Sequence, residues 1–143
     1  MPYNYFAPRP GRLGVLPVPF NSGRINTGTL AAGTQNHNIG GTPAQCYINR
    51  ATLCADTFPT AATSCVAILL KMTGATAVAL TSGLDINAQT ADTPLQFTFL
   101  STLTDAQRTL TNADSLRLAI VTAGAVSVQP DDITVCVELL VEN

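Results

Sequence analysis

The residues able to do chemistry are few in this 143-residue sequence, and they stand far apart. One histidine, His37, lies in "TQNHNIGG", and four cysteines stand at 46, 54, 65 and 136. A zinc site draws its ligands from clusters such as C-x₂₋₄-C, and no pair of these cysteines has that spacing. A Ser or Cys nucleophile would need His37 as its base, and no G-x-S-x-G elbow occurs. Lys71 is the only lysine, so the G-x-x-x-x-G-K-[ST] phosphate loop is absent. The expectation is a protein that is not an enzyme and that uses no metal and no cofactor.

The carboxylates lead to the same reading. "DINAQTADTPLQ" begins like a calcium loop, with Asp85 and Asn87. It departs at the sixth place, Thr90, where a glycine is needed, and at the twelfth, Gln96, where a bidentate glutamate is needed. Asp131 and Asp132 are adjacent, so in an extended chain they point to opposite faces instead of pairing. They read as a solvated turn after Pro130. Asp114 ends "TNAD" and reads as a turn carboxylate that bonds nearby backbone amides. Two distant carboxylates could still be folded together into a glycosidase-type pair. Tryptophan is absent and aromatic residues make up only 6%, which weighs against a sugar-binding platform.

The elements that would position these residues repeat with a period of two. "SLRLAIV" sets Leu116, Leu118 and Ile120 against Arg117, Ala119 and Val121. "DITVCVELLVEN" sets Ile133, Val135, Val137, Leu139 and Val141 against Thr134, Cys136, Glu138, Leu140 and Glu142. "LQFTFL" sets Leu95, Phe97 and Phe99 against Gln96 and Thr98; "CVAILLKM" sets Val66, Ile68, Leu70 and Met72 against Lys71. A 180° repeat of this kind is that of half-buried antiparallel strands, each giving one row to a core. Weaker strands are expected at about 25–31, 34–40, 44–54 and 77–86, separated by Gly-, Pro- and Asp-rich turns. Thr104 and Gln107 match a capping box, enough for one helical turn over 104–108. The predicted fold is all-β: an antiparallel, jelly-roll-like β-sandwich of about eight strands over residues 25–143.

Residues 1–24 differ from the rest. They hold Pro2, Pro8, Pro10, Pro17 and Pro19 of the nine prolines, together with many large apolar residues. Proline fixes φ and lacks a donor, which excludes helix and interior strand. The segment is predicted to be an extended arm laid against its own domain or a neighbour. If it bridges subunits, Leu13, Val15, Leu16, Val18 and Phe20 are the expected apolar contacts, with Arg9, Arg12 and Arg24 reaching carboxylates. Those three arginines have no acid beside them, whereas residues 25–143 carry four basic and nine acidic residues. Three scattered arginines are too sparse for a nucleic-acid arm.

Charged residues are 11% of the chain and hydrophobic ones 46%. Ordinary soluble domains have roughly 25% charged residues, so this surface has little electrostatic guard against association. A subunit of an assembly fits that better than a solitary domain. The cysteines read as small buried hydrophobes with reduced thiols. "MPYNYFAPRP" lacks the features of a signal peptide, no stretch reaches 18 apolar residues, and synthesis in a cytosol is expected, with no membrane partner.

Residues 80–142 resemble the C-terminal portion of small jelly-roll structural proteins of tailed bacteriophages. The resemblance is carried by Asp85–Ile86, Pro94–Leu95, Leu110–Asp114–Leu116–Leu118 and the closing strand Ile133–Val141. It implies a capsid decoration (cement) or related head protein on the outside of a virion, binding the major capsid protein and often forming homotrimers. The alternative function is a receptor- or glycan-binding head module of a phage fibre or spike.

Overall fold

The computed structural model describes residues 15–41 and 45–142. Its strands are β1 (Val15–Asn21), β2 (Gly33–Gly41), β3 (Cys46–Cys54), β4 (Thr60–Ala61), β5 (Ser64–Thr73), β6 (Thr76–Ala79) and β7 (Leu84–Asp85). After them come β8 (Leu95–Gln96), the single helical turn α1 (Asp105–Arg108), β9 (Thr109–Leu110), β10 (Asp114–Ala123), β11 (Val126–Val128) and β12 (Thr134–Glu142). One sheet runs β1-β12-β3, with β8 and β9 both on the far side of β3. The other runs β2-β10-β5, with β6 and β7 both on β5, and β11 pairs β4 separately.

Every strand pairing is antiparallel. If β6/β7 and β8/β9 are each counted as one interrupted strand, first pairs with last throughout: β1–β12, β2–β10, β3–β8/β9 and β5–β6/β7. That is one long hairpin rolled into two facing sheets, the jelly-roll form of a β-sandwich. The alternation in sequence makes it possible, because each strand offers one row inward.

Leu116, Leu118, Ile120, Ile133, Val135 and Val137 are all buried, as the alternation of β10 and β12 predicts. On β5 the core-facing row is Cys65, Ala67 and Leu69; of the row expected to face inward, Met72 is buried, while Val66, Ile68 and Leu70 lie half-buried on the outer face. Both rows are apolar, so the period alone carried no information about which one turned inward. Leu69 pairs with Leu118, and Ala67 with Ile120, which places the odd-numbered row against the core.

Two expected strands are broken. Over 25–31 only Ile25 makes a bridge, to Ile133. Beyond it Asn26 Oδ1 accepts from Gly28 N at 2.9 Å, and Gly28 takes a φ of 59°, a turn geometry that stops extension. The stretch 77–86 divides into β6 and β7 because the chain leaves β5 after Leu80, whose N still donates to Leu69 O, and reaches across to the other sheet. There Ser82 N donates to Thr98 O at 3.0 Å, Leu100 N donates to Leu80 O at 3.0 Å, and Thr81 bridges Phe99. This crossing closes one rim of the sandwich.

Among the described residues the opposite rim is open, and its edges are β1 and β2. Part of the expected arm is therefore a strand of the domain: Val15–Asn21 pairs in register with Cys136–Glu142. The division expected at residue 24 does not separate an arm from a sandwich over the described residues. Residues 1–14, which include Arg9, Arg12 and Leu13, lie outside the described residues.

Candidate functional site

A densely bonded polar cluster lies where β5, α1 and β10 meet. Asp114 is buried, and its Oδ2 accepts from Thr111 N at 2.8 Å and from Thr111 Oγ1 at 3.0 Å. Thr73 Oγ1 donates to Oδ1, and Lys71 Nζ stands 3.4 Å from Oδ2. Burial by itself pushes the Asp114 carboxyl up; hydrogen bonds from Thr73 and Thr111 and the Lys71 charge outweigh it and hold the group below its ordinary range. Lys71 Nζ also donates to Thr109 O at 2.6 Å and Ala106 O at 3.2 Å. The turn carboxylate expected from "TNAD" is present, and the fold adds the lysine, which comes from 43 residues earlier in the chain.

Arg108 has a similar structural duty. Between Glu138 and Leu139 the β3–β12 register shifts, leaving Asn49 as an extra residue on β3. The Arg108 guanidinium donates to Ile48 O at 2.7 Å and Asn49 O at 2.9 Å, satisfying carbonyls beside that bulge. It also stacks over Phe99 at 4.1 Å and Tyr47 at 4.8 Å. Sequence reasoning found the capping box that presents it, with Thr104 N donating to Gln107 Oε1 at 2.8 Å, but not Arg108 itself. The calcium-like pair is likewise absorbed by turn geometry: Asp85 accepts from Asn87 N, and Asn87 Oδ1 accepts from Ala61 N at 2.7 Å.

Among the described residues, two surfaces remain as candidates. On the outer face of the second sheet, cross-strand partners share a side. Val121 lies between Thr34 and Val66, Ala119 between Asn36 and Ile68, and Arg117 between Asn38 and Leu70, with Ala79 beyond Leu70. Arg117 is the only charge among these ten positions. On the outer face of the first sheet, Pro17, Pro19, Arg50, Thr52, Cys136 and Glu138 line a shallow groove of about 340 Å³. Arg50 and Glu138 face each other across it at 3.7 Å.

The expected contact residues that are described fall at several places. Val15 and Leu16 lie in β1 opposite Glu142 and Val141. Val18 is 42% exposed at the open rim, while Phe20 packs on the core and lies so close to Gly40 that a Cβ there would meet its Cζ at 3.0 Å. Arg24 does reach a carboxylate, but that of Asp132 in its own chain, at 3.0 Å. No disulfide joins the four cysteines; Cys46 and Cys65 are buried, Cys54 is half-buried and Cys136 is exposed. Among the described residues no helix is long and apolar enough to cross a membrane, and no group of three or more His, Cys, Asp or Glu could hold a metal ion. No protein-family model matches the chain, and no curated protein or solved structure matches it either.

Proposed function

We propose that this chain is a structural virion protein, a decoration (cement) protein that docks on the outside of a tailed-phage head and ties neighbouring major capsid proteins together. The observation that carries the reading is the outer face of the β2-β10-β5-β6 sheet, where the half-buried Val66, Ile68, Leu70 and Val121 and the exposed Ala79 lie around Arg117. An antiparallel sheet with one face in water ordinarily alternates apolar with polar residues. Here the outward row of β5 is as apolar as the inward one, which suits a face that a neighbouring protein covers.

Two further observations agree. The jelly-roll order is the fold implied by the resemblance of residues 80–142 to phage head proteins. The strongest polar groups, Asp114, Lys71 and Arg108, are spent on backbone and turn geometry, so recognition falls to shape and apolar area. Purified protein added to empty phage capsids is expected to bind stoichiometrically and to raise the melting temperature of the shell by mass action. Ile68→Asp, on the outward row, should abolish that binding while leaving the β-rich circular dichroism spectrum intact. Binding to host cells or glycans, with none to capsids, would replace this reading with the receptor-binding one.

A further inference from the structure

The open rim carries its own information, which follows from the phase of the backbone ladders. In an antiparallel pair, residues alternate between those that bond to the partner and those whose N–H and C=O point away from it. Leu80 N donates to Leu69 O, and Ile86 N to Cys65 O, so odd-numbered residues of β5 point toward β6 and β7. Even-numbered residues of β5 therefore face β10, which makes Leu70 and Arg117 a hydrogen-bonded pair. The next pair outward alternates, so Leu118 bonds His37 on β2. It follows that Thr34, Asn36 and Asn38 direct their backbone N–H and C=O away from the sheet. Nothing among the described residues pairs with that edge.

The same arithmetic on β1 gives a contrasting result. Ser22 N donates to Val135 O, so Val18 and Phe20 bond inward to β12 and Pro17 and Pro19 turn their nitrogens outward. The prolines cost the ladder nothing and remove two outward donors, a recognised guard on an edge strand. β2 has no such guard: "GTQNHNIGG" contains neither proline nor any Asp, Glu, Lys or Arg.

A second observation lies on the same strand. Gln35 Oε1 and His37 Nε2 are buried polar atoms without a hydrogen-bond partner. The Gln35 amide is oriented by its Nε2, which donates to Thr29 O at 3.0 Å and so leaves Oε1 as the free acceptor. Burial holds the His37 imidazole below its ordinary pKa, so the ring is neutral and can carry its single proton on Nε2.

We propose that the β2 edge is a homodimer site, where two copies pair β2 with β2 antiparallel about a two-fold axis through Asn36. In that register Asn36 faces Asn36 of the second copy and Thr34 faces its Asn38, giving six backbone hydrogen bonds. Gln35 then stands opposite His37 of the second copy, twice, and a turn of each side chain out of its buried position brings an unmet acceptor to an unmet donor. Shifting the register by two residues in either direction sets Gln35 against Gln35 or His37 against His37 and leaves four of the six bonds. Backbone and side chains therefore select the same alignment. An isologous contact of this kind closes at two subunits, so it differs from the trimer implied by the phage resemblance. It stands whether or not the chain decorates a capsid.

The test is Asn36→Pro, read by light scattering over a concentration series with circular dichroism and thermal melting alongside. The wild type is expected to show a monomer–dimer equilibrium. Asn36→Pro should be a monomer with an unchanged spectrum, because the lost N–H points away from β10. Gln35→Ala and His37→Ala should each raise the dimer dissociation constant about tenfold or more, and the double variant little further, since each pair counts once in a cycle. A wild type that stays monomeric, or an Asn36→Pro variant of unchanged mass, overturns the proposal. So does an Asn36→Pro variant that fails to fold, since that would refute the ladder phase on which it stands.

Discussion

The two rims of this sandwich meet the same problem differently. At the rim of Thr81 and Phe99 the chain crosses between sheets, and backbone groups that an edge would expose are bonded: Ser82 to Thr98 and Leu100 to Leu80. At the rim of β1 and β2 the sheets remain apart, and among the described residues nothing pairs with the outer side of either edge strand. One of those sides is blunted by Pro17 and Pro19; the other is left bare by the described residues along Thr34, Asn36 and Asn38. A fold that guards one edge and closes a whole rim, yet leaves a nine-residue strand unguarded, has a place where association costs it least. The difference shows that edge protection here is local and set by individual residues.

The comparison can be broken most forcefully in the apolar contacts of the two rims. Leu80 is fully buried at the closed rim and Val18 is 42% exposed at the open one. Leu80→Ala is expected to cost about 2–5 kcal/mol by cavity formation, against less than about 1 kcal/mol for Val18→Ala, measured by denaturant unfolding. Next in size is Thr81→Val. Thr81 Oγ1 accepts from Leu69 N at 3.0 Å inside the closed rim, so its loss leaves a buried amide unmet and should cost about 1–3 kcal/mol. On the open rim, Pro17→Thr with Pro19→Thr restores two outward donors. It should change the melting temperature little and add a second, concentration-dependent association through β1.

The smallest effects concern pH, and they separate the rim from the interior. The His37 carbon–nitrogen ring titrates at a lower pH folded than unfolded, so the unfolded chain takes up its proton first. Stability is full above about pH 6.5 and begins to fall below it. Asp114 is also held below its ordinary range. Its contribution is present above about pH 4 and is lost as pH falls through the folded value. An acid titration should therefore lose stability in two limbs. His37→Gln is expected to remove the upper limb and Asp114→Asn the lower, and a single limb that neither substitution shifts would contradict both assignments.

Much of the architecture was legible in the residues. Alternation in β10 and β12 named the buried row correctly, and Thr104 with Gln107 marked the one helical turn. The same method failed on β5, where apolar residues occupy both faces, and over 77–86, where the chain changes sheets partway along. Period two reports that a strand is pleated; it does not report what lies above or below it. Pro17 and Pro19 showed that residues 15–21 could not be an interior strand, and an edge strand of the chain's own sheet satisfies that condition as well as a detached arm does. His37 was noticed only as a lone titratable group among Asn and Gly.

What the amino-acid order determined alone is therefore the class: short amphipathic strands, turn residues between them, few charges and no clustered ligands. Those properties depend on each residue and its near neighbours. The tertiary structure decided which faces meet, that Lys71 reaches Asp114, and that Oε1 of Gln35 and Nε2 of His37 find no partner among the described residues on a strand at the sheet edge. These are relations between segments far apart in the chain, and they arise only once loop closure brings distant strands together, which local pattern cannot encode.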